Sequence, residues 1–122
     1  MFDRWPDEFS PSLRRVLDPP MPVVVDLGQA IPTHRAKFGT GGVPLRVSSG
    51  GLRLTGTVPG VLYAWARAWD GVWLGLCEFT VHTGNDRGQL DMRQWCPEHS
   101  LTPSPAKANN DYRDRSDSRR GR

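Results

Sequence analysis

Four side chains of this 122-residue chain carry the donor types of a metal site: Cys77, His82, Cys96 and His99. Two thiolates and two imidazoles make up one of the usual structural zinc sets. The spacing argues against a centre. Cys77 and His82 lie five apart, and on a regular strand an odd spacing sends side chains to opposite faces. Cys96-Pro97-Glu98-His99 offers two donors from one turn, where zinc knuckles supply paired cysteines. The same thiols meet if a hairpin centred between Asp86 and Arg87 sets Cys77 opposite Cys96, where a disulfide is within reach. In a reducing compartment the expectation is two neighbouring core thiols, with no metal and no cofactor.

Catalytic constellations are hard to assemble. A nucleophile needs a base and an orienting group converging on it. Cys96, Glu98 and His99 are too close along the chain to meet at one point. No G-x-S-x-G elbow occurs, and Phe38-Gly39-Thr40-Gly41-Gly42 lacks the Lys-Ser/Thr of a phosphate loop. The carboxylates are scattered. The chain is therefore not expected to be an enzyme.

Aromatic residues are the stronger signal. Five Trp occur in the chain, and Tyr63, Trp65, Arg67 and Trp69 alternate along one segment. On a strand these four share a face that could stack on a proline-rich peptide or on bases. Trp73 and Trp95 read as core filling, because a small domain needs large side chains to bury enough area.

The element that positions these residues is Val61–Val81. Trp65, Trp69 and Trp73 are spaced by four, which suits a helix, but Asp70-Gly71 is the preferred loop of a two-residue type I′ hairpin. The hairpin register predicted from that loop pairs Trp69 with Val72, Ala68 with Trp73, Trp65 with Leu76 and Ala64 with Cys77. One face then carries Tyr63, Trp65, Arg67, Trp69, Val72, Leu74 and Leu76. The other carries Leu62, Ala64, Ala66, Ala68, Trp73, Cys77, Phe79 and Val81. Neither is polar, so both need cover from barrel closure, the N-terminal region or a partner chain.

Weaker signals surround this hairpin. Leu45 and Val47, then Leu52 and Leu54, alternate with arginines around Ser48-Ser49-Gly50-Gly51 and read as a hairpin over residues 43–55. Leu90, Met92 and Gln94 predict a third strand ending at Trp95, with a turn at Pro97 that tucks Leu101 inward. Residues 1–42 read as an irregular segment with a short helix near 11–17, capped by Ser10, started by Pro11 and stopped by Asp18-Pro19-Pro20. Within it, Val23-Val24-Val25 reads as a short strand.

Charge separates the tail from the rest. Residues 1–102 hold ten Lys/Arg and ten Asp/Glu, so the net charge of +3 resides in residues 103–122. The pI of about 9.3 thus describes the tail rather than a basic globular face. That tail is expected to be disordered, with Arg113, Arg115, Arg119, Arg120 and Arg122 as its phosphate-binding candidates. Asp111, Asp114 and Asp117 interrupt them. No stretch reaches the ~20 apolar residues of a membrane span, and acidic residues at positions 3, 7 and 8 do not suit a signal peptide. The expected compartment is the cytoplasm, with no membrane partner.

Val58-Pro59-Gly60-Val61-Leu62, Trp73-Leu74-Gly75-Leu76-Cys77-Glu78-Phe79, Trp95-Cys96-Pro97 and Leu101-Thr102-Pro103 together resemble small uncharacterised proteins of GC-rich bacterial genomes and their mobile elements. The resemblance covers about half the chain and brings no function with it. The order hairpin, loop, strand and W-x-P turn also looks like the end of an SH3-like barrel, by architecture alone.

The expected fold is mostly β: a small antiparallel sheet or SH3-like, partly open barrel over residues 43–102, with one short N-terminal helix and disordered ends. The leading expectation for function is a non-enzymatic binding or accessory module. Its aromatic face, with Tyr63, Trp65, Arg67 and Trp69, would take a protein or peptide partner or a second copy. The alternative is nucleic-acid binding through the Arg tail and an exposed Trp. A small zinc-binding domain stands third.

Overall fold

The computed structural model describes residues 1–33 and 43–104. Five antiparallel strands form one curled sheet, a half-barrel, so the chain is mostly β as expected. They are β1 (Arg14–Asp26), β2 (Thr57–Arg67), β3 (Trp73–His82), β4 (Gln89–Pro97) and β5 (Leu101–Pro103). The helices are short: α1 (Leu27–Ala30) and α2 (Leu45–Gly50), with a 3-10 turn at Glu98–Ser100. The sheet order is β4-β3-β2-β1-β5. The first four strands therefore run as a meander, and the 3-10 turn carries the chain across to pair β5 with the far side of β1.

The core lies in the concave face. Val23 and Val25 of β1, Leu62 of β2, Cys77, Phe79 and Val81 of β3, and Cys96 of β4 are buried together. α1 closes this face with Leu27 and Ala30. Asp26 caps it by accepting a hydrogen bond from the Gln29 N–H. Leu101 tucks against the same cluster from β5, as the sequence suggested. Ser100, also buried, satisfies its hydroxyl on the Pro97 carbonyl at 2.7 Å.

Several expectations need correction. Residues 11–17 are not helical, and β1 starts at Arg14. The spacing of Leu13, Val16 and Leu17 suits a helix, but the end of β2 offers Arg14–Val16 a ladder, and that tertiary pairing prevails over local propensity. The segment expected to be irregular thus supplies a thirteen-residue strand inside the sheet, between β2 and β5. Residues 43–55 do not make a hairpin. Leu45–Gly50 is helical, and of the return strand only a single bridge from Leu52 to Thr83 survives. Leu45 and Val47 stay exposed, so their alternation had no core to face.

The hairpin of β2 and β3 is present, but its register differs by one residue. The closing pair is Ala68 and Val72, whose N–H and carbonyl meet at 2.8 Å. Trp69, Asp70 and Gly71 form a three-residue loop. A turn bond from Gly71 N–H to the Ala68 carbonyl and a Gly71 φ of +96° give it a type I turn followed by a left-handed glycine. Asp70 accepts a hydrogen bond from Val72 N–H, which locks the turn. Arg67 therefore pairs with Trp73 and Trp65 with Gly75.

A bulge at Tyr63 then shifts the register again, between Leu62 opposite Cys77 and Ala64 opposite Leu76. Tyr63 and Ala64 both turn to the convex face, and Trp65 returns to the concave one. The two predicted faces are consequently mixed. The concave face holds Leu62, Trp65, Arg67, Trp73, Cys77, Phe79 and Val81, and the convex face holds Tyr63, Ala64, Ala66, Leu74 and Leu76. Residues 1–13 cover part of the convex face. Phe2 packs on Trp5 and Trp95, and Arg14 reaches the Trp5 carbonyl while lying over the Phe2 ring. Barrel curling and the N-terminal region thus share the cover that two apolar faces require.

Candidate functional site

At one end of the concave face the core opens. Trp65 and Trp73 meet edge to face, with ring centroids 6.5 Å apart. Arg67 lies over the Trp73 ring at 5.3 Å, and its Nε donates to the Gly71 carbonyl. Arg15, opposite Trp65 on β1, and Glu98 of the 3-10 turn complete a cleft of about 280 Å³. Each wall comes from a different element, so the cleft depends on the whole barrel closing. The Tyr63 bulge aims Trp65 into it, and the three-residue loop brings Trp73 to the same side.

Of the four residues expected on one aromatic face, Trp65 and Arg67 are together. Trp69 sits alone in the loop and is 99% exposed. Tyr63 is on the convex face, where its hydroxyl donates to Glu78 Oε1 at 2.8 Å and Arg93 stacks over its ring. That hydrogen bond, with desolvation and the Glu78 charge adding to it, raises the Tyr63 pKa above the ordinary phenol value. Sequence reasoning missed Trp73, Arg15 and Glu98. The loop length was the available signal for Trp73, since a three-residue loop moves it opposite Arg67. Nothing local marked Arg15 or Glu98.

A second hollow, of about 760 Å³, spreads over the sheet between Val58–Val61, Glu78–His82 and Asp91–Arg93. Its polar groups already pair with one another: Arg93 with Glu78 at 3.0 Å, and Thr80 with Asp91 at 2.7 Å.

The proposed zinc donors do not assemble. Cys77 and Cys96 are both fully buried, while His82 and His99 are exposed. Among the described residues no three His, Cys, Asp or Glu side chains come together to hold a metal ion. Cys77 lies opposite Gln94, not Cys96, because the hairpin centres between Asn85 and Asp86, one residue before the expected centre, which moves each partner by two. The two thiols are diagonal neighbours on the core face and are free. A hydrogen bond that the Cys77 thiol donates to Cys96, together with burial, pushes the Cys77 thiol well up. The same bond lowers Cys96, against its own burial. The tail arginines from Arg113 to Arg122 lie outside the described residues.

Among the described residues no helix is long and apolar enough to cross a membrane. No family model matches this chain, and no curated protein or solved structure shows significant similarity to it.

Proposed function

We propose that this chain is a small, non-enzymatic binding module that takes an extended peptide in the Trp65–Trp73 cleft. One observation carries this reading: two partly buried indoles meet edge to face, flanked by Arg15, Arg67 and Glu98, at an open end of the core. Paired aromatic rings offer the slots in which proline and other compact apolar side chains stack. Glu98 and Arg15 supply charges of both signs at the rim, which favour a segment mixing basic and acidic residues with its apolar ones. The meander, the 3-10 turn and a fifth strand returning to β1 support an SH3-like reading of the barrel. The setting that suits two buried free thiols is a reducing compartment such as the cytoplasm.

Peptide display against the purified protein tests the proposal. Selected sequences should be rich in proline or aromatic residues. Trp73→Ala should weaken their binding by about 30-fold, in the range of a central aromatic anchor. Trp69→Ala should cost less, because Trp69 stands in the loop outside the cleft. Selection of no sequence, or binding indifferent to Trp73→Ala, overturns the reading. Stacking of Arg67 on Trp73 also suits a nucleotide base, which is the second reading. It requires a single-stranded DNA complex that dissociates with rising salt and on removal of residues 105–122.

A further inference from the structure

We propose that the outer edge of β4 pairs with the β4 edge of a second copy, about a two-fold axis at Met92, to make a continuous sheet across a homodimer. The sheet has two edges. β5 is three residues long and ends in Pro103, which protects it. β4 is nine residues long, and Pro97 is its only proline, at the last position. Among the described residues no strand pairs with its outer side. It is paired to β3 without a bulge from Gln89 to Pro97, so its outward N–H and carbonyl groups present a regular template. Leu90 and Trp95 on this strand are 47% and 38% exposed.

Charge selects the register. Facing residues in an antiparallel pair share a face, so only registers that match like faces extend the sheet. A two-fold at Asp91 sets Asp91 against itself, and one at Arg93 sets Arg93 against itself. Like charges directly opposite are unfavourable. A two-fold at Met92 sets Asp91 opposite Arg93 of the second copy, twice by symmetry. It also sets Leu90 opposite Gln94, and Gln89 opposite Trp95. Both charged residues are already oriented on the convex face. Thr80 holds Asp91 at 2.7 Å, and Glu78 holds one nitrogen of Arg93 at 3.0 Å. The Arg93 side chain is 52% exposed, and pairing requires its guanidinium to swing from the Tyr63 ring, over which it lies at 4.9 Å, toward the second copy. The dimer would thus join Glu78 and Arg93 of one copy to Asp91 and Thr80 of the other in a single row.

Sedimentation of the full chain, and of two charge variants, tests this. The wild type should run as a dimer of twice 13.6 kDa. Asp91→Arg should set two cations facing two cations, and Arg93→Asp two anions facing two anions. Each variant alone should dimerise at least about tenfold more weakly. Mixed one to one, the two variants should recover the dimer as a heterodimer, because every facing pair is then opposite in sign. The mixing arm also separates loss of the interface from loss of the fold, since an unfolded variant cannot be rescued. A wild type that stays monomeric up to its solubility limit overturns the proposal. So does a dimer that neither variant weakens, or a pair of monomeric variants that mixing fails to restore.

Discussion

Adding one methyl group at Gly75 should destabilise the protein, although alanine is ordinarily the better strand residue. Gly75 lies opposite Trp65 with its missing Cβ directed into the core. A Cβ built there falls 2.6 Å from Leu62 Cδ1, 2.8 Å from Leu101 Cδ1 and 3.2 Å from Trp65 Cζ3. Carbon atoms prefer about 3.5–4.0 Å, so the first two contacts are about 1 Å too close. Leu62 is 1% exposed and has nowhere to go. Leu101 is only partly buried and can give more readily. Burying a methylene returns about 0.8 kcal/mol, and replacing glycine stiffens the unfolded chain by about 0.4–1 kcal/mol. Overpacking of this kind costs about 1–3 kcal/mol net in well-filled cores. We expect Gly75→Ala to lose about 1–2 kcal/mol. At about 4–8 °C per kcal/mol for a folded region of this size, the loss is readily seen by thermal denaturation. In the one-residue-shifted register predicted from Asp70-Gly71, Gly75 faces Ala66, where a methyl group is harmless. An unchanged or raised Tm for Gly75→Ala would therefore refute the observed register and the placement of Trp65.

Two further outcomes follow from the polar and thiol groups. Tyr63 should titrate above the ordinary phenol range by ultraviolet absorbance, and Glu78→Gln should bring it down, because the hydrogen bond to Glu78 is the main cause of the shift. The raised folded-state pKa fixes the sign. Whatever stability this contact gives is present below the unfolded tyrosine pKa and is lost as pH rises through the folded one. Cys77 and Cys96, both fully buried, should resist an aromatic disulfide reagent in the native protein and react together at the rate of unfolding. Fast labelling of either thiol under native conditions contradicts their burial.

Legibility followed the locality of the signals. The β2–β3 hairpin was legible because Asp70-Gly71 is a turn dipeptide flanked by apolar strands, and β4 because Leu90, Met92 and Gln94 alternate. Register was not legible. Asp-Gly serves a two-residue loop or the second half of a three-residue one, and the difference of one residue brings Trp65 and Arg67 to the face that Trp73 shares with Cys77 and Phe79. The Tyr63 bulge has no local marker, since it arises where β2 must follow both β1 and β3. β1 was hidden for a related reason. The break in its pairing between Val16 and Met21 interrupts its periodicity, and its partners lie roughly thirty to fifty residues away. At the cleft, Trp65 and Arg67 were visible as an aromatic–basic alternation. Arg15 and Glu98 reach it only through the closing of the barrel, which no local pattern encodes.

The most direct test of the central claim is a nuclear magnetic resonance titration of the isotope-labelled full chain with a peptide chosen by display. The five indole N–H signals report on the five tryptophans separately. The Trp65 and Trp73 signals should move together and saturably, with Trp69 following weakly and Trp5 and Trp95 still. Movement confined to Trp95 and the Glu78–Arg93 surface, with Trp65 and Trp73 silent, would contradict the assignment of the cleft.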